Sequence, residues 1–157
     1  MIREINGDEK KNVERVAVCI TAQGNSRRLI AKGAALADEV DGELHILHVQ
    51  QGNNIFHNAD TPKLLEELFN YGSQLGGMIH FHCEDDVAQF LGRFAKEQQI
   101  TQMVLGQPPM TEANDADQLL HKLKEIVRFI PPQVDLVVVP RDDALPNVIL
   151  RRKNGEK

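Results

Sequence analysis

The sequence is poor in the residues that several classes of protein depend on. It has no tryptophan, one tyrosine (Tyr71) and two cysteines, and its formal net charge is −5. Few aromatic rings leave little for base stacking, and an acidic balance disfavours a nucleic-acid or anionic-membrane binder. No apolar run approaches the roughly 18 residues that a membrane span needs. Two cysteines in separate apolar segments fit a reducing compartment, so we expect a cytoplasmic protein without membrane insertion.

The chain has the length of one domain, with 157 residues of which 41% are hydrophobic. Residues 1–14 are polar and lack periodicity, so we interpret them as a flexible leader that is not a signal peptide. The domain itself is expected to cover residues 15–140. Residues 141–157 include Arg151, Arg152 and Lys153, and we interpret them as a loose basic tail.

Apolar runs alternate with amphipathic segments along this domain. Runs without polar interruptions are typical of strands covered on both faces, whereas apolar residues at helical spacing predict helices between them. The order predicts a doubly wound, Rossmann-like α/β fold with a five-stranded parallel sheet, whose ligand site lies at the carboxyl ends of the strands. The predicted strands are residues 15–20, 44–49, 78–83, 100–106 and 134–139.

The turn after the first predicted strand carries hydroxyl and amide side chains. Thr21, Gln23 and Ser26 lie there, and Arg27 and Arg28 follow in the first turn of the next helix. Free backbone N–H groups at a helix N-terminus bind phosphate, so this turn is a candidate phosphate cradle. The alternative is an ordinary capped turn, which explains the same residues. Neither a GxGxxG nor a GxxxxGK[ST] pattern is present to support phosphate binding.

Histidines and carboxylates offer further candidates. His80 and His82 share one face of their strand, and His45, His48 or His57 would have to supply a third zinc ligand. We favour ordinary structural roles for these histidines, which are common at strand ends, and we assign no metal. The acidic residues 84–86 would suit magnesium or acid–base work, but they also suit a helix N-terminus, which we favour, with Asp85 or Asp86 as its first residue.

Taken together, five segments resemble the universal stress protein family. The similarity is greatest to the stress-protein-like domain of Kdp-type, osmosensitive potassium sensor kinases. The resemblance implies an adenine nucleotide alpha hydrolase-like fold, frequent dimerisation through the last strand and, in many members, adenine-nucleotide binding. The segments that carry it are RVAVCI (15–20), NSRRLI (25–30), ELHILHV (43–49), DDVA (85–88) and ITQMVLG (100–106).

Two binding motifs of that family match this chain only in part. Nucleotide-binding members carry Gly-x-x-Gly, nine residues and then Gly-Ser or Gly-Thr after the fourth strand. Gly106 matches the first glycine, but Pro109 stands at the second, and no Gly-Ser or Gly-Thr follows before Pro140. Proline has no N–H to donate to a phosphate.

The second motif binds cyclic di-AMP in some Kdp-type domains. It consists of Ser-x-Ser, a gap of twenty residues and Phe-Thr-Ala-x-Tyr. Thr21 and Gln23 fall at the serine positions. The positions of Phe, Thr, Ala and Tyr are occupied by Leu44, His45, Ile46 and His48. Thr21 keeps a hydroxyl and His48 keeps a ring.

We therefore expect a non-enzymatic regulatory module that binds a small ligand, an adenine nucleotide such as ATP, AMP or cyclic di-AMP, and that requires no cofactor. The resemblance links it to potassium and osmotic stress sensing with a sensor-kinase or other signalling partner. A ligand-free scaffold is the alternative, with a homodimer formed through Val134 to Val139. The candidate ligand-binding residues are Thr21, Gln23, Ser26, His48, Val49 and Gly106.

Overall fold

A computed structural model describes residues 13–20, 26–50, 60–106, 124–139 and 148–150. In these ranges three helices alternate with the first four strands. A further helical segment covers residues 124–129, and two more strands follow it. The helices are α1 (Ser26–Glu39), α2 (Asp60–Gln74) and α3 (Val87–Glu97). The strands are β1 (Arg15–Cys19), β2 (Glu43–Gln50), β3 (Met78–Cys83), β4 (Gln102–Gly106), β5 (Asp135–Val139) and β6 (Val148–Leu150).

The sheet has the order β3-β2-β1-β4-β5-β6. Strands β1 to β5 are all parallel to one another, which confirms the predicted doubly wound α/β fold. The chain order reverses between β1 and β4, so the crevice of such a fold opens at their carboxyl ends. Ile20 leaves β1 and Gly106 ends β4 at that edge.

Two apolar cores hold the sheet, one on each face. The first contains Val16 and Val18 of β1 together with residues of α1 and α2. The second contains Ala17 of β1 with residues of α3 and of the segment 126–130. Neighbouring residues of β1 therefore enter opposite cores, and this requirement explains why its sequence shows a continuous apolar run and no alternation.

Helix ends follow the sequence signals closely. Asp86 is the N-cap of α3, and its side chain accepts a hydrogen bond from the backbone N–H of Gln89 at 3.1 Å. This carboxylate satisfies one of the free N–H groups at the helix start, as the prediction of Asp85 or Asp86 required. Helix α2 begins at Asp60, just before Thr61 and Pro62, and proline is favoured in the first turn of a helix.

The end of the chain departs from the prediction. Val148–Leu150 were assigned to a loose tail, but they form β6, which pairs antiparallel with β5. Val137 of β5 faces Ile149, so β5 is an interior strand and presents no free edge along Leu136–Val138. A homodimer formed by edge pairing of Val134 to Val139 therefore has no open edge while β6 is in place, because β6 occupies the hydrogen-bonding groups that a partner strand would use.

Among the helices in the described ranges, none combines the length and the apolar character required to cross a bilayer.

Candidate functional site

The candidate site lies at the carboxyl edge of the sheet, where β1, β2 and β4 end. Ser26 begins α1 and is fully buried there, while Gly106 ends β4 and is exposed. Val49, near the end of β2, is half-buried and packs against the second core. These three residues lie at the same edge of the sheet. Thr21 and Gln23 lie outside the described residues.

Gly106 packs closely against the first helix. A Cβ atom placed on it would lie 2.8 Å from Cδ1 of Leu29, closer than such contacts normally come. The missing side chain lets the end of β4 approach α1 directly.

His48 is placed at this edge but turns inward. Its side chain is only 5% exposed. Nδ1 lies 2.8 Å from the carbonyl oxygen of Ile20, and Nε2 lies 3.0 Å from Oε1 of Gln50. The ring also stacks on Phe81 of β3, with 5.7 Å between ring centroids and 19° between planes. Both nitrogens and one ring face are thus engaged within the protein.

Arg27 is engaged elsewhere in the protein as well. Its guanidinium carbon lies 3.9 Å from the centre of the Tyr71 ring, a cation–π contact that joins α1 to α2. The sequence placed Arg27 beside the candidate phosphate cradle. In the structure its charge packs on α2, so Arg27 stabilises the contact between the two helices.

A second polar cluster lies on the face of the sheet opposite to His48. The hydrogen bonds within this cluster were not predicted from the sequence. His45 Nδ1 and His80 Nε2 are 2.9 Å apart, and Glu43 Oε1 lies 3.1 Å from His45 Nε2. Arg15 Nε lies 3.1 Å from the same carboxylate oxygen, so the four side chains form one continuous chain. His45 and His80 are diagonal neighbours, since His45 is opposite Met78 and His80 is opposite Leu47.

The electrostatics of this cluster centre on His80. Burial lowers the pKa of His80 below its ordinary value of 6.5, and the charges of His45 and His82 lower it further. Because a carboxylate can only accept, His45 donates from Nε2 to Glu43. With a neutral His45 ring, Nδ1 then accepts the N–H of His80. In this tautomer, the proton carried by His80 Nε2 lies between the two rings.

The other candidate ligands are arranged for structural contacts. Asp86 caps α3, and Glu84 forms an ion pair with Arg93 of that helix at 3.5 Å. Within the described ranges, no group of three or more histidine, cysteine, aspartate or glutamate side chains is arranged to hold a metal ion. The zinc and magnesium alternatives therefore gain no geometric support from these residues.

A cavity of about 280 Å³ lies at the other end of the sheet, where β2 and β3 begin. Asp38, Asp41, Glu43 and Met78 are among the residues that line it. Its lining includes none of the candidate ligand-binding residues, because the two edges lie at opposite ends of the strands. The cavity is therefore separate from the candidate site.

Comparison with known proteins agrees with the resemblance stated from the sequence. No protein-family model matches the chain. Sensor protein KdpD of Mycobacterium tuberculosis is 33% identical over 95 residues, which is 59% of this chain and 11% of that relative. The chain thus spans about a tenth of the length of this relative.

Solved structures extend the comparison to the fold. A universal stress protein in complex with cAMP has a TM-score of 0.56 at 18% identity, covering 80% of this chain and 95% of that one. The universal stress protein of Archaeoglobus fulgidus in complex with dAMP has a TM-score of 0.54 at 12% identity, covering 82% and 96%. The chain therefore has the universal stress protein fold, and in sequence it is similar to a segment of the KdpD sensor proteins.

Proposed function

We propose that the chain is a non-enzymatic regulatory module that binds an adenine nucleotide at the carboxyl edge of its sheet. The observation that carries this proposal is the strand order, which reverses between β1 and β4 and brings Ser26, Val49 and Gly106 to one edge. Doubly wound folds bind ligands at this point. Two proteins of the same fold are described in complex with cAMP and dAMP, which supports the same ligand class here.

Each residue has a proposed role at that edge. The N-terminus of α1, which begins at the buried Ser26, supplies backbone N–H groups to phosphate. Thr21 and Gln23 precede it in the sequence and are proposed as further polar contacts. Val49 flanks the base, and Gly106 borders the phosphate loop. His48 is buried in β2 near the same edge of the sheet.

The biological setting follows from the KdpD similarity. We propose that the module acts in the cytoplasm, that it reports nucleotide state to a sensor-kinase or other signalling partner, and that it contributes to potassium or osmotic stress sensing. The 33% identity to sensor protein KdpD over 95 residues supports this assignment. Cyclic di-AMP is included among the ligands to be tested because Thr21 and His48 occupy motif positions in the sequence.

A thermal-shift screen with ATP, ADP, AMP, cAMP and cyclic di-AMP tests the proposal. A ligand at about 100 times its Kd stabilises the folded state by roughly 2.7 kcal/mol, which raises Tm by about 5–10 °C at this size. We expect such a shift with one of these nucleotides. The absence of a shift with all of them at millimolar concentration would remove the nucleotide proposal and favour the ligand-free scaffold.

Two variants that add a carboxylate locate the site. Gly106→Asp places it at the exposed end of β4, where it would repel phosphate. Gln74→Glu adds the same group at an exposed position at the end of α2, just before β3 and at the other end of the sheet. We expect the nucleotide shift to disappear in the first variant and to persist in the second. Equal shifts in both would place the nucleotide elsewhere.

A further inference from the structure

The environment of His48 points to a function other than direct ligand contact. Its ring is 5% exposed and is held on three sides, by Ile20, Gln50 and Phe81. These contacts come from the end of β1, from β2 itself and from β3. A side chain held in this way has little surface left for a nucleotide.

The direction of one hydrogen bond can be assigned. The backbone carbonyl of Ile20 can only accept, whereas the amide of Gln50 can present either its oxygen or its NH2 group to Nε2. Nδ1 of His48 therefore carries the proton and donates across the 2.8 Å separation. The backbone N–H of Ile20 in turn donates to the carbonyl of Leu47 at 2.9 Å. Both polar backbone groups of Ile20 are therefore fixed by β2, one through backbone and one through a side chain.

The position of Ile20 gives this bond its importance. Ile20 directly follows β1 and is buried, at the edge where the chain leaves the sheet for α1. A buried carbonyl without a donor is costly, so removing the imidazole N–H would favour other orientations of this peptide group. The carbonyl of Ile20 belongs to the last described peptide group before α1, so its orientation matters at the candidate site.

We propose that His48 is a positioning residue for the nucleotide site: its Nδ1–H holds the carbonyl of Ile20 and thereby fixes the carboxyl end of β1 in the orientation that binds ligand. This inference rests on the proposed function and deepens it. His48 acts through Ile20 and does not contact the nucleotide. The stacked ring of Phe81 and the amide of Gln50 keep the imidazole in place.

Substitutions that separate the N–H from the ring test this role. His48→Asn keeps a donor near the position of Nδ1 but removes the ring. His48→Leu has a similar size and no donor, and His48→Phe keeps a ring against Phe81 and also lacks the donor, which provides a second variant if the first does not fold. Nucleotide affinity, Tm and hydrogen exchange of the Ile20 amide are measured for each, with the Val18 amide as the internal control.

If His48 has a positioning role, nucleotide affinity should depend on the presence of a hydrogen-bond donor at residue 48. We expect His48→Asn to bind nucleotide within about threefold of the unmodified protein. We expect both donor-free variants to bind about tenfold more weakly, the change produced when the binding-competent state falls to a tenth of the population. A purely structural role predicts instead that affinity follows Tm in all variants. Equal affinity in all of them, or losses that follow Tm alone, would overturn the proposal.

Hydrogen exchange separates this proposal from the proposed function. If the unmodified protein binds no nucleotide, the proposed function fails and affinity carries no information about His48. Exchange at Ile20 then decides: faster exchange in the donor-free variants than in His48→Asn, with Val18 unchanged, supports the positioning of β1. Identical exchange at Ile20 in all variants refutes it.

Discussion

At the scale of single residues, His80 of β3 makes the stability of the folded protein depend on pH. Burial, followed by the charges of His45 and His82, lowers the pKa of His80 below 6.5. The unfolded chain therefore binds this proton more readily than the folded protein. The contribution of the neutral ring to stability is fully present above the unfolded value, and it is lost as the pH falls through the lowered folded value.

We expect the free energy of unfolding to decrease from about pH 7.5 to pH 5 in part through this group. His80→Gln preserves a polar atom near Nε2 that reaches His45, and it does not titrate. Its unfolding free energy, measured by urea denaturation over the same range, should decrease less steeply with acid than that of the unmodified protein. Identical slopes would show that His80 does not contribute.

The two cysteines differ in reactivity for a physical reason. Burial raises the pKa of the Cys19 thiol to about 12, whereas Cys83 is exposed at the end of β3. Because the thiolate is the reactive form, Cys83 should react with a thiol reagent in the folded protein and Cys19 only after unfolding. Cys83→Ser should remove the fast phase and Cys19→Ser should leave it. A fast phase that survives in Cys83→Ser would contradict this expectation.

At the scale of elements, the contact between α1 and β1 depends on Gly33. A Cβ atom on Gly33 would lie 2.0 Å from Cγ2 of Val18, a fully buried and stiff side chain. Alanine normally favours a helix over glycine by about 1 kcal/mol. Here overpacking should outweigh that preference, because neither α1 nor Val18 can move without disturbing the first core.

We expect Gly33→Ala to destabilise the protein by about 1–3 kcal/mol in urea unfolding. The double variant Gly33→Ala/Val18→Ala removes the Cγ2 methyl group that the new Cβ would strike, together with Cγ1 of Val18, and serves as the control. Its loss of stability should be smaller than the sum of the two single losses. Stabilisation by Gly33→Ala alone would show that the helix preference dominates and that the close contact relaxes easily.

At the scale of the whole molecule, β6 determines whether β5 is an interior strand. It pairs with β5 and covers that side of it, so β6 and β3 are the two edge strands of the sheet among the described residues. Phe81 of β3 is 44% exposed and Met78 is 53% exposed. A strand whose hydrogen-bonding groups are uncovered tends to pair with another chain.

Two truncations test the covering role of β6. A chain ending after Pro140 lacks β6, whereas a chain ending after Leu150 keeps it and lacks only the last seven residues. We expect the first to self-associate in sedimentation velocity through β5 and the second to sediment like the full chain. A cooperative urea transition would confirm that the shorter chain is folded. Concentration-independent sedimentation of the shorter chain would exclude this role.

Part of the candidate site could be predicted from the sequence. The turn signals after the first predicted strand and the glycine after the fourth strand placed Ser26 and Gly106 at one edge, where the structure has them. His48 was predicted as a ligand-binding residue, and the structure places it in β2 near the same edge, with a buried side chain. Its inward hydrogen bond to Ile20 was missed, because a sequence does not state which side chain reaches a carbonyl 28 positions away.

By itself, the sequence determined the class of fold and the order of β1 to β5 along the chain, since the interior strands must be apolar on both faces and the helices between strands on one. Only the tertiary structure decided the pairing of β6 with β5, the His45–His80 pair and the His48–Ile20 bond. The physical reason is register. Local pattern fixes what each segment becomes, but packing across the whole sheet fixes which residues of distant segments lie side by side.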